Sequence, residues 1–321
     1  MIRKTLLTAA ALLLSAIPAM AEPFTFIALG DMPYGPASVS FPLYESLIKE
    51  VNSRNPAFTI HIGDTKSGAV SCSNENLDRQ LQFLNSFSPA LIYTPGDNEW
   101  ADCHAFLAGR YDPLERLDYI RSTYFKDPTT SFGTNPIALE SQAQVMAKQF
   151  PKYVENTRFT RDGIVFVQAH VIGSNNNFEP RNLETVSEFF ERDRANIAWL
   201  NDSFNLAMRT DAPAIVISIQ ADMFAKDFDL PSNQEGFERQ SGYANFGNTL
   251  RVRAKKFGKP VLLIYGDSHT FHVFRPFRRS APNVMALQVF GERDMHAVAV
   301  RADPADRAVF GYTPVLNPAL E

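Results

Sequence analysis

Apolar runs recur along the chain and break in the same way: "FTFIALGD" (24 to 31), "AFTIHIGD" (57 to 64), "ALIYTPGD" (90 to 97) and "PVLLIYGD" (260 to 267) each end in Gly-Asp. A short apolar run with β-branched and aromatic residues, closed by a turn residue, predicts a buried strand breaking into a loop. Between the first two runs, "SFPLYESLIKEVNSR" places Leu43, Leu47 and Val51 at helical spacing. Between the next two, "NENLDRQLQFLNSF" does so with Leu77, Leu81 and Leu84. Strand, helix, strand, helix, strand predicts parallel βαβ units whose loops gather at one sheet edge. Asp31, Asp64 and Asp97 are therefore expected at one rim. "GIVFVQAHVIG" (163 to 173) and "PAIVISIQADMF" (213 to 224) predict further strands around a helical stretch over 185–209. The short segments after 267 predict strands of a second sheet packed on the first. With no linker, repeat or charge block, residues 22–321 are expected to form a single α/β domain.

The first 21 residues stand apart. "MIRK" followed by "TLLTAAALLLSAIPAMA" has a basic start, an apolar run and small residues at Ala19 and Ala21, the pattern of a bacterial secretory signal peptide. Export to the periplasm or beyond is expected, with no membrane-spanning segment left after cleavage. Of the 31 Lys and Arg, Arg3 and Lys4 lie in this leader, leaving 29 against 35 acids and a formal charge of −6. That balance argues against a nucleic-acid coat. Cys72 and Cys103 are the chain's two cysteines. In an oxidising compartment they predict a disulfide, whose loop of about 30 residues stabilises by ~3 to 4 kcal/mol on the chain-entropy argument.

In open α/β sheets ligands bind outside the carboxyl ends of the strands, where this chain presents Asp31, Asp64, Asp97 and Asp267, with Asp222 as a further candidate. Like charges a few ångströms apart raise one another's pKa, and a bound cation relieves that cost. An oxygen-rich set suits Mn, Mg or Ca.

These residues resemble the calcineurin-like metallophosphoesterases, which include the purple acid phosphatases. The family's pattern is Asp-x-His, Gly-Asp, Gly-Asn-His-Asp/Glu, a His after a strand, and Gly-His-x-His, on a four-layer α/β/β/α sandwich that holds two divalent metals. The likeness runs from "GDMP" to "GDSH". It implies Asp31 as the first ligand, with Pro33 where a histidine belongs and Tyr34 beside it as a partial substitute. It implies Asp64 as the bridging ligand and Asp97 in place of a ligand asparagine. Asn98 stands in place of the histidine that assists the leaving group, with Glu99 unchanged. Gln220 replaces a histidine ligand, with Asp222 on the same strand face. Asp267 takes the first position of Gly-His-x-His and His269 the second. The substitutions exchange nitrogen for oxygen ligands, so Mn, Mg or Ca are expected over Zn or Fe.

The implied chemistry is hydrolysis of a small phosphate mono- or diester by metal-activated water. Because Asn98 is no acid, His104, His170 or His272 is the candidate proton donor. Tyr34 and Trp100 are candidates to wall the cleft, and Arg275 in "RPFRRS" to meet an anionic substrate. His61, an odd number of residues from Asp64, is expected in structural packing, as is His296. The polar run "SNNNFEPRN" (174 to 182) is expected as a solvated turn. Two alternatives stay open: a binding protein without turnover on the same scaffold, and an SGNH or GDSL-type esterase using Ser268 of "YGDSH" as nucleophile.

Overall fold

The computed structural model describes residues 22–179, 183–225 and 234–320; the leader at 1–21 and residues 180–182 of the polar run lie outside them. The chain opens with β1 (Phe24–Leu29), α1 (Ala37–Ser53), β2 (Thr59–His61), α2 (Asn74–Asn85) and β3 (Leu91–Tyr93). Then come α3 (Pro113–Thr123), β4 (Glu140–Ser141), β5 (Thr157–Arg161), β6 (Ile164–Gln168), α4 (Leu183–Arg209), β7 (Ile215–Ser218) and α5 (Ala244–Phe257). The chain closes with β8 (Val261–Tyr265), β9 (His272–Phe274), β10 (Val284–Gln288), β11 (Ala297–Ala302) and β12 (Phe310–Val315).

Two mixed sheets result, with orders β12-β11-β1-β2-β3 and β4-β5-β6-β7-β8-β10-β9. The expected parallel set β1-β2-β3 is present, in register Ala28↔Ile60↔Ile92. The second sheet differs from expectation in its membership. It is built around parallel β6, β7, β8 and β10, so the Gly-Asp run at 260–267 belongs to it and not to the first sheet. Of the late segments, β9 and β10 join it, whereas β11 and β12 return to flank β1 antiparallel. Apolar pattern identifies strands but not their partners, and hydrogen bonding across 270 residues of sequence carries no local signal.

Side-chain alternation distributes each strand between two cores. In β1, Phe26 and Ala28 meet Phe166, Val216, Leu262 and Ile264 of the other sheet, while Ile27 and Leu29 face the helices with Leu47, Leu77 and Leu117. In β8, Leu262 and Ile264 face the first sheet, and Val261, Leu263 and Tyr265 pack with Trp199, Phe204 and Leu250 of α4 and α5. Burial on both faces explains why these strands read as continuous apolar runs. At the centre, Phe58 stands between a stacked Phe26 and an edge-on Phe166, both at 5.0 Å.

The helices start and stop on local signals. Ser73 caps α2, its hydroxyl accepting from Asn76 N–H at 3.3 Å. Asp112 caps α3 with Pro113 at the first helical position. The Cys72–Cys103 disulfide is formed, with Cα atoms 5.7 Å apart, and ties the loop after β2 to the loop after β3. Among the described residues no helix is long and apolar enough to cross a membrane.

Candidate functional site

Parallel strands deliver their carboxyl ends to one rim, and the two sheets deliver theirs side by side. Asp31, Asp64 and Asp97 follow β1, β2 and β3; Asp267 follows β8. The Asp267 backbone N–H donates to both carboxylate oxygens of Asp31, at 3.2 and 3.0 Å, and so joins the sheets. Asp31, Asp64 and Asp267 all adopt left-handed backbone, with φ of 54°, 55° and 71°. Such a conformation is uncommon outside glycine and concentrates at functional sites. The glycine before each aspartate has a separate reason. A Cβ on Gly96 would lie 1.9 Å from Asp64 Oδ1, and one on Gly266 would lie 2.1 Å from Asp31 Oδ2. Gly96 and Gly266 therefore leave room for the carboxylate of a neighbouring strand, whereas a Cβ on Gly30 would meet Ile62 and one on Gly63 the backbone of residues 94–96.

Asp64 is the most heavily bonded of the four. Its Oδ2 accepts from the Tyr34 hydroxyl at 2.8 Å, Asn98 Nδ2 at 2.8 Å and Gln220 Nε2 at 3.2 Å; its Oδ1 accepts from Asn98 N–H at 3.2 Å. Tyr34, Asn98 and Gln220 thus converge on the residue expected to bridge metals, and they do so as donors. Asp97 is different. Its Oδ2 accepts from the Ser174 hydroxyl at 2.9 Å, while its buried Oδ1 has no hydrogen-bond partner among the described residues. Burial is the main reason that Asp31, Asp64, Asp97 and Asp267 all hold their protons more tightly than usual, with the neighbouring carboxylates adding to it. Asp267 is pushed up to about 6.

Glu99 braces the loops. It accepts from Thr65 N–H at 2.6 Å, the Thr65 hydroxyl at 2.9 Å and the Tyr93 hydroxyl at 3.2 Å through Oε1, and from Gly96 N–H at 3.1 Å through Oε2. Asp222 is turned away from Asp64: Oδ2 accepts from the Ser268 hydroxyl at 2.6 Å and Oδ1 from Phe224 N–H at 2.8 Å, while its own N–H donates to Asp267. The structure therefore gives Ser268 a carboxylate partner. The adjacent imidazole, His269, instead stands edge-on to Tyr34 at 5.3 Å, with Nε2 4.0 Å from Asp31 Oδ1.

His170 is fully buried. The Trp100 indole N–H, which can only donate, reaches its Nε2 at 3.1 Å, so the proton sits on Nδ1 and is given to Glu155 at 2.9 Å. Burial lowers its pKa to about 4. With both nitrogens engaged, His170 is a neutral structural group, and Trp100 supports it from the core without walling a cleft. His104 is exposed, its Nδ1 2.9 Å from Ala101 O. His272 is exposed at the start of β9, stacked on Phe274. His61 is buried with its Nδ1 accepting from Gly63 N–H. Arg275 follows β9, which runs antiparallel to β10, and so lies at the opposite end of the sheet from the aspartates. It cannot face their ligand.

Lys66, Asp102 and Ser174, all at the rim, were not singled out from the sequence. Lys66 is buried beside Asp64, Glu99, Asp102 and Asp97, with burial lowering its pKa, and its Nζ donates to Ser67 O at 3.1 Å. Its position two residues after Gly-Asp in "GDTKSG" was the available signal. Ser174 bridges Asp97 and Asp102, both at 2.9 Å. It belongs to a left-handed turn, with φ of 49° to 58° from Ser174 to Asn177, and here the expectation of a solvated turn fails. Asn175, Asn176 and Asn177 are buried, and Arg192 binds Asn176 through both Oδ1 and O. Asparagine tolerates this conformation better than most residues, which gives the run "NNN" a local reason.

Compared with known proteins, the chain matches no family model, and no curated protein matches it. Among the described residues, no three His, Cys, Asp or Glu side chains are disposed as a ready-made cage for an ion.

Proposed function

We propose that the rim is the centre of a divalent-cation-dependent phosphoesterase of the calcineurin-like type, exported to the periplasm or beyond, acting on a small phosphate mono- or diester. The observation that carries this reading is the buried excess of carboxylate. Asp31, Asp64, Asp97 and Asp267 meet at strand ends from two sheets, and among the described residues Asp97 Oδ1 is left without a donor. The expected four-layer α/β/β/α arrangement is supported by the three separate cores, one between the sheets and one under each set of helices.

The donor set fits a hard cation in its chemistry, although its side chains do not stand as a ready-made cage among the described residues: carboxylate oxygens predominate, and the imidazole of His269 stands at their edge. Asp31, Asp97 and Asp267 would hold it. A cation bound there supplies charge neutralisation for phosphoryl oxygens and acidifies water. The chain's own groups do the rest. Tyr34, Asn98 and Gln220 hold Asp64 in one orientation, Ser174 fixes Asp97, and Glu99 holds the loop that carries both Asp97 and Asn98. A second reading, binding without turnover, is favoured by one specific feature: Asn98 and Gln220, at two positions where the family has a proton-donating or metal-binding group, donate hydrogen bonds to Asp64 instead.

The test is hydrolysis of a chromogenic phosphate diester and monoester by chelated protein, titrated with Mn. Metal-restored turnover, reduced at least ~100-fold in Asp97→Ala, is expected. Turnover indifferent to chelation would overturn the proposal, and turnover lost in Ser268→Ala alone would replace it with the serine esterase.

A further inference from the structure

We propose that the end of the molecule opposite the acid rim is a docking surface for a bilayer rich in anionic phospholipid. Residues 244–283 carry eight Lys and Arg and a single acid, Asp267, which belongs to the rim. Topology sends nearly all of that positive charge to the other end. Helix α5 runs antiparallel to β8, so its last two turns lie beside the amino ends of β8 and β10. The connection from β9 back to β10 lies there too, and so does the turn between β11 and β12, because β11 is antiparallel to β1.

These pieces form one surface. Asn283 Nδ2 donates to Ala254 O and Lys259 O, each at 2.8 Å, and so fixes the 275–283 connection against the end of α5. Lys255, Lys256, Arg275, Arg278, Arg279 and Arg307 are exposed there. None has a carboxylate partner within 4.0 Å among the described residues, although exposed cations elsewhere do, as in Arg54–Glu50 and Lys152–Glu191. Carboxylates at the same end are engaged: Asp211 with Lys259, Asp303 with Arg301, and Asp306 with Ala308 N–H. Lys255 and Lys256 complement the helix dipole at the end of α5, which explains those two alone. No such partner accounts for the four arginines.

A lipid surface suits this arrangement better than another polyanion because apolar groups are interleaved with the charge. Val252, one turn from Lys255 and Lys256 on α5, is 56% exposed. Between Arg275 and Arg307 runs a groove of about 520 Å³ walled by Pro260, Met285, Phe310 and Tyr312. It offers guanidinium groups to a phosphate and apolar walls to the carbon chain behind it. A chain that the leader at 1–21 would carry across a bilayer meets such a surface. Docking by this end leaves the acid rim facing away from the membrane and open to dissolved ligand.

The test is co-sedimentation of the mature chain with phosphatidylcholine vesicles, with and without phosphatidylglycerol, at low and high salt. Binding only to the anionic vesicles, abolished by salt, is expected. Each neutralised cation should weaken partitioning about fivefold, so a triple Arg275→Gln, Arg278→Gln, Arg279→Gln variant should lose on the order of 100-fold. Lys152→Gln, at a paired cation elsewhere, should bind as the parent does. If the triple variant does not fold, Arg275→Gln alone carries the fivefold expectation. Equal binding to neutral vesicles, no binding to anionic ones, indifference to the substitutions, or equally tight binding of a duplex oligonucleotide would overturn the proposal.

Discussion

The two ends of the paired sheets crowd like charges in opposite ways. At the carboxyl ends of β1, β2, β3 and β8, acids are buried, oriented by donors and, at Asp31 and Asp64, packed against glycines where a Cβ would collide with them. At the amino ends, Lys255, Lys256, Arg275, Arg278, Arg279 and Arg307 stand in solvent with no carboxylate partner among the described residues. Water screens the second group and its mutual repulsion is small. The first group has been taken out of water, so its repulsion is expressed in the folded state as raised pKa values. A buried cluster of one sign demands something to balance it, whereas an exposed one advertises itself to whatever approaches.

The comparison can be broken most severely beneath the rim. Glu155 is fully buried, takes Arg121 through Nη2 at 2.6 Å and accepts from His170. Glu155→Gln should cost ~3 to 5 kcal/mol in urea unfolding by leaving a buried guanidinium without its counter-charge. A loss below 1 kcal/mol would mean that the support is not shared between these groups. A smaller effect of opposite sign is expected at the rim itself. Asp267 has a folded pKa of about 6, raised above its usual 3.8 by burial. The folded state therefore binds the proton more tightly than the unfolded one, and stability falls as pH rises from about 4 to 6 and stays reduced above that. In metal-free protein, Asp267→Asn should raise stability by ~2 kcal/mol at pH 8 and change it little at pH 3.5. Equal effects at both pH values would show that the carboxylate is not strained. His170 has the reverse sign: lowered to about 4, it withdraws stability as pH falls from 6.5 towards 4. The smallest effect belongs to the far end, where the triple arginine variant should melt with the parent and hydrolyse any substrate at the same rate.

Much of this was legible in the sequence, because strand-to-Asp breaks are local. The parallel β1-β2-β3 unit, the long helix and the meeting of Asp31, Asp64, Asp97 and Asp267 follow from patterns within a dozen residues or from repeats of them, and the disulfide from the chain having two cysteines. Assignments that depend on pairing between distant strands did not follow. The split of the late strands between two sheets is one. The placement of Arg275 at the end away from the aspartates is another, since an arginine after a strand reads identically whichever way that strand runs. Ser174 and Lys66 meet the Asp97 loop only because three separate loops converge, and no spacing records that. The His170–Trp100 contact was hidden for the same reason: a histidine at a strand end has one appearance in sequence, whether it faces a ligand or an indole.

The most direct test of the rim as a cation site is a calorimetric titration of Mn into chelated protein at pH 7.5, alongside Asp97→Ala and the triple arginine variant. Saturable binding by the parent and the arginine variant, lost in Asp97→Ala, is the predicted result. No binding by the parent, or binding that survives Asp97→Ala unchanged, would contradict it.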